Sequence, residues 1–315
     1  MKIRIPNTLF FLLVTTVMVS KSSIVSAQFC DKQCLEDMAD QYRAAYVDHD
    51  PARIPVANDV RYTENFVELP FPDGTWDTVT EEVGPPLIFS DPETGQAAIF
   101  TSIMQKDTPG FLAIRFRVNG GDITEIEHVI STRRNLSSPP TPIAESVVFD
   151  HDPQLFQSVP IENRHGRDVY IGHAHGYFDT LQLNDGEIRS TRFTPEARRL
   201  ENGLLFAEIE AGFKSGYYFF NNRVRRWPVL VDEERGIVLA RGFIDHKGVL
   251  DEYTLTNGET RKSIFREPQT WGFLELFKVL DDHIVSVEAT FIQAIYYMPS
   301  PWNPDDPGAS IHTYD

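Results

Sequence analysis

Only two cysteines, Cys30 and Cys34, occur in 315 residues, so neither a disulfide-dense scaffold nor a four-cysteine zinc module can be built. Basic charge is also scarce. The formal net charge is −17, which argues against nucleic acid or an anionic membrane as a partner, since both need broad basic patches. The chain has no phosphate loop, no dinucleotide fingerprint, no G-x-S-x-G elbow and no H-E-x-x-H pair. Cofactor-dependent chemistry therefore has no support in the sequence, and no cofactor is expected. Apolar runs long enough to cross a membrane are missing too: Leu9 to Val19 is shorter than the ~20 residues that a bilayer span needs.

That short run has another reading. Lys2 and Arg4 precede it, and Val25-Ser26-Ala27 follows as a small-residue cleavage site, so residues 1–27 read as a signal peptide and the chain as secreted. A membrane anchor is the alternative. Without these residues the formal charge becomes −20. In an oxidising compartment the Cys30/Cys34 pair reads as a disulfide pinning the chain start, since a lone C-x3-C is a poor zinc site. Asn135-Leu136-Ser137 is a glycosylation sequon beside the proline-rich stretch Ser138 to Pro142, which reads as an exposed linker.

What the chain does contain is an internal echo. Arg61-Tyr62-Thr63-Glu64-Asn65-Phe66 returns as Arg198-Arg199-Leu200-Glu201-Asn202-Gly203. Tyr42 to Tyr46 returns near Tyr177 to Leu181, Asp91 to Gly95 as Asp232 to Gly236, and Ile123 to Glu127 as Ile284 to Glu288. The offsets are 135, 137, 141 and 161, a slow growth that fits one supersecondary unit used twice with insertions in the second copy. The expected organisation is a first domain at 28–137, a linker at 138–164 and a second domain at 165–315 that ends in an irregular tail.

Each copy opens on a helical pattern, at residues 30–50 and again at Val169 to Leu183. Strand signals follow. Phe111 to Val118 alternates, Asn119-Gly120-Gly121-Asp122 is a hairpin turn, and Ile123 to Ile130 alternates again. Arg115 and Arg117 would then face Glu125 and Glu127 across the hairpin, as an ion-pair ladder on a wet face or with one arginine turned into a cavity. Later strands are expected at Leu204 to Ile209, Gly216 to Phe220, Arg223 to Val231, Ile237 to Ile244, Gly272 to Leu280 and Ile284 to Tyr297. Thr191 to Leu200 reads as a connection. A helix leading into a run of antiparallel strands, twice over, is α+β, and a curved sheet with a helix makes a cone with an apolar interior.

Candidate chemistry is sparse. His173-Ala174-His175 is the most metal-like cluster, but i and i+2 do not share a helix face and no third ligand is near, so no metal is expected. Glu64 and Glu201 hold equivalent places; each is either a structural Glu-Asn pair or a carboxylate whose pKa rises inside an apolar cone, fit for proton transfer. The aromatic residues suit a large apolar ligand.

The helix with His49-Asp50-Pro51, then Arg61 to Asn65, Gly74-Thr75-Trp76, Asp91 to Gly95 and Ile123 to Glu127, resembles a secreted fungal family of tandem SnoaL-like (NTF2-like) domains. The second copy is similar through Glu201-Asn202-Gly203, Pro228 to Glu233, Phe243 to His246 and Trp302. The resemblance implies two tandem cone-shaped α+β barrels. It implies a cyclase, isomerase, dehydratase or binding protein. The signal, sequon, acidic chain and aromatic content also look like the hetero-Diels–Alder enzymes of tropolonic sesquiterpenoid biosynthesis, which join a quinone methide to a humulene-type olefin to give a dihydropyran. On that reading Glu64, His246 or Tyr62 supplies a proton, and Phe66, Trp76, Arg115, Tyr217, Trp227, Tyr296 and Trp302 surround small apolar or aromatic metabolites. A homodimer is compatible with it. Two alternatives stand beside it: an acid–base isomerase or dehydratase using Glu64 or Glu201, and a binder that turns nothing over.

Overall fold

The structure is a computed structural model, and it describes Met1 and residues 30–132, 141–145, 148–206 and 208–303. The signal-peptide and sequon readings lie outside the described residues.

The first unit begins with α1 (Lys32–Val47), whose buried residues Leu35, Met38, Ala39, Tyr42, Ala45 and Tyr46 form one apolar face. Asp31 caps it by accepting from the Cys34 amide at 2.9 Å. The Cys30–Cys34 disulfide is formed across this first turn, with a Cα–Cα distance of 5.3 Å. Strands β1 (Val56–Glu64), β2 (Val67–Leu69), β3 (Val79–Asp91), β4 (Gln96–Gln105), β5 (Thr108–Asn119) and β6 (Asp122–Thr132) follow. They form one sheet in the order β2-β1-β6-β5-β4-β3, antiparallel apart from the β1/β6 pair. Gly120 and Gly121 both adopt positive φ (64° and 96°) between β5 and β6, the backbone that a two-residue hairpin requires.

The second unit repeats this plan. It comprises α2 (Arg167–Leu183), β7 (Phe193–Glu201), β8 (Leu204–Phe206), α3 (Ile209–Lys214), β9 (Arg223–Asp232), β10 (Ile237–His246), the small hairpin β11 (Glu252–Thr254) and β12 (Thr260–Lys262), then β13 (Gln269–Leu280) and β14 (His283–Ala294). Its sheet runs β8-β7-β14-β13-β10-β9, again with one parallel pair, β7/β14. One outer strand of each sheet carries proline, Pro85-Pro86 in β3 and Pro228 in β9, where the missing amide removes no essential ladder bond. Register shifts fall at both places and help to curl each sheet into a cone around its helix.

Two expectations are corrected. Residues 193–201 are a strand, because they pair in parallel with β14. Gly216 to Phe220 is a turn after α3, with Gly216 at φ 72°; its aromatic residues have strand propensity but pack as a cluster instead.

The repeated Asn also has its reason. Asn65 and Asn202 sit at φ 50° and 47°, a region asparagine tolerates better than most residues. The Asn65 side chain accepts from the Ile130 amide at 2.8 Å and that of Asn202 from the Phe291 amide at 3.0 Å. Each clasps the end of its unit's parallel strand pair. Asn202→Ala removes the clasp and leaves a strained backbone, so it is expected to cost about 1–3 kcal/mol in urea unfolding.

The two sheets pack back to back, with the helices outside. Phe89, Phe100, Phe111 and Val129 of the first meet Leu230, Leu239, Leu274 and Leu276 of the second, with Phe149 and Leu155 of the intervening segment. The contact is self-complementary, as in a two-fold dimer. Lys32 at the start of α1 reaches Asp232 of the second unit (2.6 Å), and Arg167 at the start of α2 reaches Asp91 of the first (2.8 Å). This arrangement also corrects the wet-face ladder. Arg115 does pair with Glu127 (2.9 Å) and Glu125 (2.7 Å), but its side chain is only 2% exposed, because the second sheet covers that face. Arg241 of β10 completes the group by hydrogen-bonding both oxygens of Glu127 at 2.5 Å. Among the described residues no helix is long and apolar enough to cross a membrane.

Candidate functional site

The cones differ in what fills them, and strand register shows why. One transverse row of the first sheet reads Glu64–His128–Ile114–Ile99. The equivalent row of the second reads Glu201–Ala289–Glu275–Ala240. In the next row Tyr62 of β1 is matched by Arg199 of β7. The first set is bulky; the second is small or charged.

The first cone is packed by its own rings. The Tyr42 hydroxyl lies 2.8 Å from His128 Nε2. The His128 ring contacts Tyr42, Tyr46 and Tyr62 at centroid distances of 5.9, 5.3 and 5.3 Å. Trp76 is 1% exposed and sits edge-on to Tyr42, Tyr46 and Phe71. Burial pushes the His128 pKa down to about 3, although Glu127 favours the charged form, so this imidazole is neutral. Glu64 accepts from the Tyr62 hydroxyl (2.9 Å), the Thr75 amide (2.9 Å) and the Thr75 hydroxyl. All three bonds fall on Oε2, which is thereby committed to holding the turn before β3.

In the second cone Ala289, where the first has His128, lines a cavity of about 280 Å³. Its walls are apolar: Leu181, Phe206, Ile244, Trp271, Phe273 and Phe291, with Tyr217 and Ile264 on partly exposed positions at its edge. Inside it stand Arg199, Glu201, Glu275, Tyr177 and Tyr218. Glu275 is 4% exposed. Burial first, and the neighbouring Glu201 carboxylate second, push its pKa up to about 8, while Arg199 and a hydrogen bond with Tyr177 pull the other way. Arg199 lies 3.1 Å from Glu201 and donates to Tyr218 and, at 3.5 Å, to Tyr177. Burial works against the Arg199 charge, but Glu201, Tyr218 and Tyr177 outweigh it and keep the guanidinium charged. At neutral pH the cavity therefore presents a protonated acid, a second carboxyl group and a fixed cation within an apolar wall. That pairing can give and take a proton and stabilise negative charge on a bound molecule.

Of the residues singled out in the sequence, Glu201 and Tyr217 line this cavity. Glu64, Tyr62 and Trp76 belong to the filled cone. His246 is fully buried behind the cavity, stacked on Phe265 at 3.7 Å and edge-on to Trp271. Burial brings its pKa down to about 3, against the Gln269 backbone, and among the described residues neither ring nitrogen has a hydrogen-bond partner of good geometry. It is too far into the core to exchange protons with a ligand as the chain stands. Phe66 packs between the units on Phe243, where any side chain at Gly272 would strike it. Arg115, Trp227 and Trp302 line a cleft between the units, and Tyr296 lines a separate polar groove. Trp302 lies over the guanidiniums of Arg61 and Arg115 and donates from Nε1 to Thr63 at 3.0 Å. The structure thus brings Tyr62 and Glu64 together in the first cone and leaves His246 apart from them in the second unit.

Glu275, Arg199, Tyr177 and Tyr218 escaped the sequence reading. Glu275 had a signal: it is a lone acid on the apolar face Phe273-Glu275-Phe277 of an otherwise apolar strand. Among the described residues no three His, Cys, Asp or Glu side chains cluster as metal ligands.

The molecule is a doubled α+β cone with one cone emptied and lined with acid. A family model described as a domain of unknown function (DUF8021) matches residues 163–291, the stretch that carries this cavity. A comparison with curated proteins found no match. Among solved structures, an NTF2-like protein from Cytophaga hutchinsonii is 14% identical, covering 41% of this chain and 99% of its own at a TM-score of 0.28. A protein from Jannaschia described as a SnoaL-like polyketide cyclase is 12% identical, covering 44% and 90% at a TM-score of 0.27. A cystatin-like-fold protein from Caulobacter vibrioides is 13% identical, covering 40% and 89% at a TM-score of 0.25.

Proposed function

We propose that the second cone is an acid–base site of the isomerase or cyclase kind, acting on one small, largely apolar molecule that carries a carbonyl or hydroxyl group. The observation that carries this reading is the row Glu201–Ala289–Glu275–Ala240: it places a proton-holding acid where the first copy has isoleucine, and opens space at Ala289 where the first copy has histidine. Glu201 takes a proton from the carbon beside the carbonyl, Arg199 with Tyr218 steadies the enolate charge that develops on the oxygen, and Glu275 then delivers its proton to the bound molecule; proton exchange between the two carboxyl groups restores the site. Tyr177 orients Glu275. The chemistry stays within the cavity because its walls exclude water. If the chain is secreted, its substrate is a diffusible metabolite.

The test is deuterium incorporation, or double-bond migration, in a panel of apolar cyclic ketones in D₂O, followed by NMR. Exchange above buffer that disappears in Glu275→Gln supports the reading. Saturable binding with no exchange in any member sinks it and leaves a binding protein. Ala289→Phe restores bulk at the centre of the cone and is expected to reduce ligand affinity at least ~10-fold by calorimetry, with folding retained.

A second reading is the intermolecular hetero-Diels–Alder reaction between an o-quinone methide and a humulene-type olefin. The aromatic walls and the protonated Glu275, which could expel water to form the quinone methide, favour it. The cavity's volume does not, since about 280 Å³ lies at the lower edge of the ~300–1,000 Å³ of small-molecule sites, and the second partner would have to lie at the edge beside Tyr217 and Ile264. A hydroxymethyl-tropolone precursor incubated with humulene separates the two readings: adduct stereochemistry equal to buffer rejects this one.

A further inference from the structure

A cleft lies where the two units meet, distinct from the cavity. It encloses about 660 Å³ and draws its lining from both sheets. Five arginines line it, namely Arg115, Arg117, Arg167, Arg226 and Arg241, against a single lining carboxylate, Glu125. Carboxylates behind the lining offset this charge: Glu127 takes Arg115 and Arg241, Asp91 takes Arg167 and Asp179 takes Arg226, so the pull on an anion rests on the hydrogen-bond donors left over rather than on net charge.

The local hydrogen bonding leaves donors over. Arg115 and Arg241 both spend their charge on one buried carboxylate, Glu127. Arg115 also binds Glu125 and the Gln96 side-chain oxygen, yet its buried Nη2 has no acceptor among the described residues. Two residues along the same face, the buried Nε of Arg117 has none either, although its Nη1 lies 3.3 Å from Glu125. Arg226 reaches Asp179 and His175 at the opposite wall. Buried guanidinium N–H groups are rarely left without a partner in folded proteins, and such a group gains most from an ionised acceptor. Beside them Trp227 offers apolar surface.

We infer that this cleft binds a small organic acid, its carboxylate held by the unpartnered donors of Arg115 and Arg117 and its apolar part along Trp227. Arg226 bounds the site on the far side. The inference is independent of the acid–base reading, because none of these residues touches the cavity.

The test is calorimetric titration of the full chain with benzoate, with acetate and inorganic phosphate as the other arms, at constant ionic strength. Arg117→Gln and Arg226→Gln remove cleft charge from partly exposed positions without breaking the buried Glu127 group. Arg53→Gln, at an exposed pair with Asp48 on the first unit, is the control. The expected result is saturable benzoate binding, at least tenfold weaker in Arg117→Gln and in Arg226→Gln, unchanged in Arg53→Gln and unchanged in Ala289→Phe, with acetate binding more weakly for want of the ring. No saturable binding of any arm, phosphate binding tighter than benzoate, equal loss in Arg53→Gln, or loss in Ala289→Phe overturns it.

Discussion

Replacing Glu275 by glutamine is expected to lower turnover by ~10²–10⁴-fold, the usual range for loss of a general acid or base, while ligand binding in the cone is retained. The same substitution makes a prediction that needs no substrate. In the unfolded chain the carboxyl group titrates near its ordinary value of 4.5, and in the folded protein at about 8. Below about pH 4.5 both states hold the proton and folding carries no penalty at this site. Between those values the unfolded chain releases the proton and the folded protein keeps it, so stability falls as pH rises, and the loss is complete above about pH 8. Urea unfolding at acid and alkaline ends of that window should show a smaller decline for Glu275→Gln than for the unchanged protein, with the variant the more stable at the alkaline end. An identical slope in both would mean that Glu275 is ionised like any surface carboxylate. Because Glu201 is the second cause of the shift, Glu201→Gln should lower the Glu275 pKa and move the alkaline limb of the rate profile to lower pH. The limb's displacement between the two proteins is the informative quantity.

The fold was legible in the sequence to the extent that architecture survives duplication. The Glu-Asn echo at 64–65 and 201–202 marks strand ends that both copies must clasp, and Asp91/Asp232 with the glycines at 95 and 236 mark turns that both must make. Those positions answer to backbone geometry, which is the same in each unit. The site was harder to see because it consists of differences between the copies. Ala289 matters through what it lacks relative to His128, and that is visible only once strand register aligns the two sheets. The aromatic inventory misled for a related reason. Trp76, Tyr62 and Phe66 have the composition of a pocket wall, but a ring fills space as readily as it lines it, and only packing decides which. The growth of the offset from 141 to 161 did carry information. It marks the insertion between β10 and β13, whose Ile264 reaches the cavity while its Phe265 covers His246. Arg115 and Glu127 were paired correctly from alternation alone; what alternation could not reveal was that a second sheet would seal the wet face and bring Arg241 with it.

Glu127→Gln should be among the most destabilising single changes in the molecule. Two guanidiniums from different units converge on this carboxylate, and Arg115, Glu127 and Arg241 are each no more than 3% exposed. Burial alone would raise the Glu127 pKa, but Arg241 and Arg115 outweigh it and hold it below the ordinary value. Its contribution is therefore present above that ordinary value and is lost as pH falls through the lowered folded one. Removing one member of a buried ionic group leaves the others uncompensated, at a cost of about 3–5 kcal/mol. Because the group joins β5 and β6 to β10, the loss falls on the contact between units more than on either cone. The expected signature in urea is a single transition in the unchanged protein that separates into two in Glu127→Gln, the second unit retaining its cavity after the first has opened. A single transition displaced to lower urea would place the group inside one cooperative core instead. Replacing all three residues together by apolar ones of similar volume, Arg115→Met with Glu127→Leu and Arg241→Met, separates stability from function: it should recover most of the loss, since well-packed apolar groups often match a buried ionic set, and it should abolish binding of the organic acid in the cleft, where those guanidiniums do what no methionine can.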